Sequence, residues 1–117
     1  MIFGELEEFK KDLKTLQKRF RTLFEDIEVV KMVLEIKPDE RPPFSYRIDG
    51  LGIETRVIKV KKIACRSLKG RGSNSGFRLV YAYYKEEQRI ILIELYFKGD
   101  KSAEDKNRIL RHFQSRV

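Results

Sequence analysis

Phe77-Arg78-Leu79-Val80-Tyr81-Ala82-Tyr83-Tyr84, then Lys85-Glu86-Glu87-Gln88, then Arg89-Ile90-Ile91-Leu92-Ile93-Glu94-Leu95-Tyr96-Phe97 is the stretch whose reading decides the fold. Side chains along a strand point alternately to opposite faces. The first run therefore puts Phe77, Leu79, Tyr81 and Tyr83 on one face and Arg78, Val80, Ala82 and Tyr84 on the other. The second run is apolar on both faces, the pattern of a central strand covered on each side. The polar Lys85 to Gln88 segment between them makes a tight turn, so the two strands pair antiparallel. Upstream, Val57, Ile58, Val60 and Ile63 form a β-branched run interleaved with Lys59, Lys61 and Lys62. Leu68 to Gly76, rich in glycine and serine, reads as a flexible loop. Strands joined by such short connections predict an antiparallel meander of three to four strands over residues 55–97.

Further out, Leu6, Phe9, Leu13, Leu16 and Phe20 recur at steps of three and four, and Leu23, Ile27, Val30 and Leu34 continue the rhythm. That spacing predicts helix over about residues 3–36. Near Thr22 the charges regroup from Lys18, Arg19 and Arg21 to Glu25, Asp26 and Glu28. Thr22 as N-cap, with Glu25 completing a capping box, would divide the segment into a helical hairpin; the alternative is one long bent helix. All three prolines fall within residues 37–43, and Asp49-Gly50-Leu51-Gly52 adds a turn, so residues 37–54 read as an irregular connector. Ala103, Ile109, Leu110 and Phe113 supply the apolar side of a short terminal helix over 101–114. The expected fold is α+β and one domain over 1–117: a helical hairpin packed on one face of a small antiparallel sheet, the other face partly free. On that second face alternation places Lys59 and Lys61, with Arg78 arriving from the next strand.

With 41% hydrophobic residues, eight phenylalanines and five tyrosines, 117 residues can bury one core without disulfides or a structural metal. The single cysteine, Cys65, has no partner for an internal disulfide, and with His112 as its sole companion it argues against a zinc site. Met1-Ile2-Phe3-Gly4 runs into Glu5, Glu7 and Glu8 without an apolar h-region, and the apolar stretch around Ile90 to Phe97 is too short to span a bilayer. The expected location is the cytoplasm, away from membranes. The net charge of +8 is unevenly placed, because Arg56 to Lys85 holds nine basic residues and no acidic one. A single-sign block of that size attracts polyanions.

The usual enzyme signatures are missing. The chain has no Ser/His/Asp or Cys/His arrangement, and its basic half lacks the carboxylate cluster that two-metal nuclease chemistry requires. Lys69-Gly70-Arg71-Gly72-Ser73 does not match the phosphate loop, which needs Gly-Lys-Ser/Thr between strand and helix. What remains is a kit for RNA: Arg and Lys for phosphates, Tyr and Phe for unpaired bases. The same kit can cleave. An RNA 2′-hydroxyl attacks its adjacent phosphate when the two are held in line, and fixed cations stabilise the added negative charge. Proton transfer then needs a tyrosine or a lysine of depressed pKa, which crowding among Lys59, Lys61 and Arg78 would supply.

Ser75-Gly76-Phe77-Arg78-Leu79-Val80-Tyr81 resembles the Ser-Gly-aromatic-Arg-Leu-Val-Tyr strand of the RelE/ParE toxin superfamily. The order of elements around it is similar too: a helical hairpin before, an alternating-lysine strand, then Arg89 to Tyr96 followed by Lys98-Gly99-Asp100-Lys101 and a short closing helix. The resemblance implies a toxin of a type II toxin–antitoxin system, an mRNA interferase cutting messenger RNA on the ribosome without metal or cofactor. Its partners would be the ribosome, messenger RNA and a cognate antitoxin. Arg78 matches the family's strand arginine, which contacts the scissile phosphate. Lys59 and Lys61 look like the alternating lysine pair, one of which acts as base, and Lys98 or Lys101 stands in for the basic residue beyond the last strand. Tyr96 sits where some members place a catalytic aromatic or histidine. The loop before Gly76 is longer than in RelE, and its Arg66, Lys69 and Arg71, with Lys62 and Tyr81, are expected to bind RNA. Two other readings stay open: a ParE-like gyrase inhibitor that performs no chemistry, and a non-catalytic RNA-binding module.

Overall fold

β4 (Phe77–Tyr84) and β5 (Arg89–Phe97) pair antiparallel through the tight turn at Lys85 to Gln88, where Gln88 takes a positive φ of 50°. The computed structural model describes residues 1–114, and in it these strands are the middle of a five-stranded sheet. β3 (Arg56–Val60) pairs antiparallel with β4, completing the expected meander. Two further strands were not expected. β1 (Ile2–Glu5) lies parallel to β5, where the sequence rhythm had suggested the start of a helix. β2 (Ser45–Arg47) lies antiparallel to β3, inside the segment expected to be irregular. The sheet order is β1-β5-β4-β3-β2. β1 forms because β5 offers an unpaired edge, and the Leu6 N–H still donates to the Leu92 carbonyl before the chain turns into helix.

The helices follow the apolar rhythm. α1 (Glu7–Gln17) and α2 (Leu23–Ile36) form the hairpin, with acidic residues in each first turn where the helix dipole favours them. Thr22 takes the N-cap position of α2, but its hydroxyl does not cap. It donates to Asp26 Oδ2 at 2.7 Å and accepts the Ser67 N–H at 2.9 Å, while Glu25 pairs with Arg66. The expected capping box is thus replaced by a tie between the hairpin and the loop after β3. α3 (Lys106–Phe113) is shorter than expected and starts at Asp105, whose side chain accepts the Arg108 N–H.

Phe9, Leu23, Ile27 and Leu34 of the hairpin bury one sheet face with Ile58, Val60, Leu79, Tyr81 and Leu92. The opposite face is less free than expected. Ile109 of α3 packs there on Val57, Val80, Ala82, Ile93 and Tyr96, helped by Ile48, Leu51 and Ile53 of the connector. Arg108 holds α3 in place: its Nη1 donates to the Ile93 carbonyl at 2.9 Å and to Asp12 Oδ2 at 2.7 Å, tying α3 to β5 and α1. Among the described residues no helix is long and apolar enough to cross a membrane.

Where the hairpin turn meets the sheet, Phe20, Phe77 and Phe97 pack as a trio with centroids 4.8 to 5.1 Å apart. Gly76 sits against it with φ +93°, and a Cβ there would lie 3.3 Å from Phe97 Cε1. Gly76→Ala is expected to lower unfolding free energy by about 2 kcal/mol, from the strained φ and the displaced ring. Urea unfolding followed by circular dichroism measures it.

Candidate nucleic-acid interface

Near that trio, β2, the loop after β3, the start of β4 and the end of β5 enclose a groove of about 840 Å³. Its walls carry Lys61, Lys62, Arg71, Arg78 and Lys98 together with Tyr46, and no acidic residue. Arg78 emerges from the second position of β4, opposite Tyr96. Its Nη1 donates to the Lys61 carbonyl at 3.1 Å and to the Phe77 carbonyl at 3.2 Å, so the guanidinium is aimed by backbone while its charge stays uncompensated. The loop is positioned as well. The buried Ser75 hydroxyl donates to the Ile63 carbonyl and accepts the Phe77 N–H, and Lys62 Nζ donates to Asn74 Oδ1 at 2.8 Å. Lys61 Nζ stands 4.9 Å from the centroid of the Tyr46 ring. Among the described residues none of these five cations has a carboxylate partner.

The other expected residues go elsewhere. Lys59 shares Arg78's face of the sheet, but its Nζ donates to Glu104 Oε1 at 2.7 Å, and both side chains are largely buried. Arg66 is held by Glu25 and Asp26, and Lys101 by the buried Glu94. Lys69 is exposed on the loop outside the groove. Tyr81 corrects an expectation: it is fully buried in the core, its hydroxyl donates to the Pro38 carbonyl, and burial pushes its phenol far up, so no RNA base can reach it. Its position among Phe77, Leu79 and Tyr83 on the apolar face explains this, since the hairpin covers that face. Tyr96 is also buried. Its phenol is pushed up to about 12, by burial first and then by the carboxylates of Glu104 and Glu94 against the opposing Arg78. It is a hydrogen-bond donor at neutral pH, not a base. Among the described residues no group of three or more His, Cys, Asp or Glu is placed to hold a metal ion.

Tyr46 escaped the sequence reading because the prolines beside it dominated. The signal was Phe44-Ser45-Tyr46-Arg47, a short alternating run between Pro43 and the Asp49-Gly50 turn.

Comparison of the structure with solved proteins decides the fold. A chain of the archaeal RelE–RelB complex from Pyrococcus horikoshii superposes with a TM-score of 0.57 at 16% identity, covering 86% of this chain and 97% of that one. The fold is RelE-like. A copper-bound mutant toxin from Helicobacter pylori superposes as well, with a TM-score of 0.54 at 19% identity and the same coverage of each chain. No family model and no curated protein matches the sequence. On this RelE-like frame the cationic groove lies at the end of the sheet where β4 begins and β5 finishes.

The Lys59–Glu104 pair gives a pH test. Burial raises the Glu104 carboxyl pKa, but the hydrogen bond and charge of Lys59 outweigh it, and the net shift is downward. A carboxyl lowered on folding contributes stability above its unfolded pKa of about 4.3 and loses it as pH falls through the folded value. Lys59→Met is expected to lower the urea midpoint at neutral pH and to remove part of the acid-induced loss. Midpoints measured for both proteins between about pH 7 and pH 3 test this.

Proposed function

We propose that this chain is the toxin of a toxin–antitoxin system and that it cleaves messenger RNA on the ribosome without a metal. The observation that carries the reading is the groove itself: five cations and an exposed aromatic ring, with no carboxylate, on a RelE-like fold. Arg78, fixed by two carbonyls, takes the scissile phosphate. Lys61 and Lys98 flank it, and the three charges stabilise the dianionic phosphorane formed as the deprotonated 2′-oxygen bonds to phosphorus; the P–O5′ bond then breaks, leaving a 2′,3′-cyclic phosphate and a 5′-hydroxyl that takes up a proton. In-line placement of that hydroxyl is left to the ribosome-held message, which accounts for the ribosome dependence. With Lys59 tied to Glu104 and Tyr96 protonated, Lys61, Lys62 and Lys98 are the amines that line the groove with Arg78.

A protein partner fits the same surface. An acidic antitoxin segment seated in the groove neutralises the five cations and blocks RNA. On the hairpin, Phe24, Val29, Met32 and Ile36 of α2 stay exposed, an apolar area typical of surfaces that a second chain covers.

Two measurements test the reading. Primer extension on messages translated in vitro with the purified chain is expected to show breaks within codons, reduced about 100-fold or more by Arg78→Ala. Intact messages, or breaks unchanged by Arg78→Ala, refute the nuclease; intact messages with damaged DNA point to the gyrase inhibitor instead. Binding of single-stranded RNA is expected to weaken with salt at a log–log slope of about −3.5 if all five cations meet phosphates, and Arg71→Ala to reduce that slope by about 0.7.

A further inference from the structure

Tyr46 has no assigned task, yet its surroundings define one. It stands on β2 opposite Lys59, at the sheet edge that forms one wall of the cationic groove. The residue is 37% exposed, in a protein that buries Tyr81, Tyr83 and Tyr96 almost completely. Among the described residues its hydroxyl makes no hydrogen bond that would give the ring a structural reason to stand there. The ring bears the ammonium of Lys61, an aliphatic cation on a flexible stem and the same residue whose carbonyl aims Arg78. A surface tyrosine kept open beside a phosphate-binding arginine is the arrangement that receives an unpaired base.

We propose that Tyr46 is a stacking platform for an unpaired RNA base next to the phosphate held by Arg78. This rests on the reading of the groove as an RNA site and adds what that reading lacks, a group that distinguishes single-stranded nucleotides from polyanions in general. On binding, the base takes the ring face and Lys61 swings from the ring toward the phosphate, so that one lysine serves two states. Affinity for single strands then has two separable parts. The charges act on any polyanion, whereas Tyr46 acts on chains that carry bases. A duplex keeps its bases stacked on one another and gains only the first part.

The chain contains no tryptophan, so Tyr46→Trp installs a sole indole whose fluorescence reports on the platform. Single-stranded RNA is expected to quench it strongly, while inorganic polyphosphate of matched charge binds without quenching. Separately, Tyr46→Ala is expected to weaken single-stranded RNA about tenfold and leave polyphosphate within twofold, with Tyr46→Phe close to the parent chain. RNA that binds without quenching, or an equal loss for RNA and polyphosphate in Tyr46→Ala, overturns the platform and leaves the cationic RNA site standing. If neither the parent chain nor Tyr46→Trp binds RNA while both bind polyphosphate, the platform and the RNA reading fall together.

Discussion

The close approach of backbone to the Phe97 ring is the constraint on which the rest of the groove depends. Gly76 and Gly99 press on that ring from two strand ends, and a Cβ on Gly99 would come within 2.7 Å of it. The ring cannot retreat, because Phe20 and Phe77 pack against it from the helical hairpin and the sheet. The Lys98 N–H donates to the Gly76 carbonyl at 2.8 Å, closing the strand ends together. Because Gly76 precedes β4, this junction sets where Arg78 leaves the sheet, and because Lys98 follows β5, it brings that cation alongside. Packing of three phenylalanines on one side of the sheet thus decides the spacing of charges beside it.

Charge is then sorted by what folds against it. Along the sequence Arg56 to Lys85 looks uniformly basic, but the fold brings carboxylates to it from distant segments. Asp39 and Glu40 reach Arg56, Glu104 reaches Lys59, and Glu25 and Asp26 reach Arg66. Of the cations left without a carboxylate in that stretch, Lys61, Lys62, Arg71 and Arg78 share one groove, while Lys69 and Lys85 lie outside it. Uncompensated cations lying side by side repel one another and lower stability. Such a cluster is a cost that only a polyanion, or an acidic protein, offsets.

The β4–β5 hairpin, the helical pair and the short closing helix were legible because each depends on a local period or a turn that neighbouring residues supply. β1 and β2 were not, since each is a brief run that becomes a strand only when the edge of β5 or of β3 accepts it. The site divides the same way. Arg78 and its opposition to the apolar face follow from alternation alone. The fates of Lys59 and Lys61 do not: two residues apart, on β3 and just past its end, they differ because Glu104, 45 residues from Lys59, arrives beside only one of them. Tyr81 was misread for a related reason. Alternation placed it on the Phe77 face, yet its type suggested a stacking ring; the face rather than the residue type decided, because the hairpin covers it.

Tyr46 completes that contrast. Two tyrosines of one chain, Tyr81 and Tyr46, differ in every respect that matters for a base: depth, access and the charge beside the ring. Tyr81 belongs to a strand with neighbours on both edges and helices above, so its aromatic area is spent inside the protein. Tyr46 belongs to an edge strand of three residues, where one side of the sheet ends and the groove begins. An edge strand of three residues adds little to the core, and its shortness leaves little open edge for unwanted pairing. The Lys61 N–H nevertheless donates to the Phe44 carbonyl at 2.9 Å, and Tyr46 two residues on holds that lysine's ammonium over its ring at the groove wall. The added strand is therefore better explained by the surface it builds than by the stability it contributes.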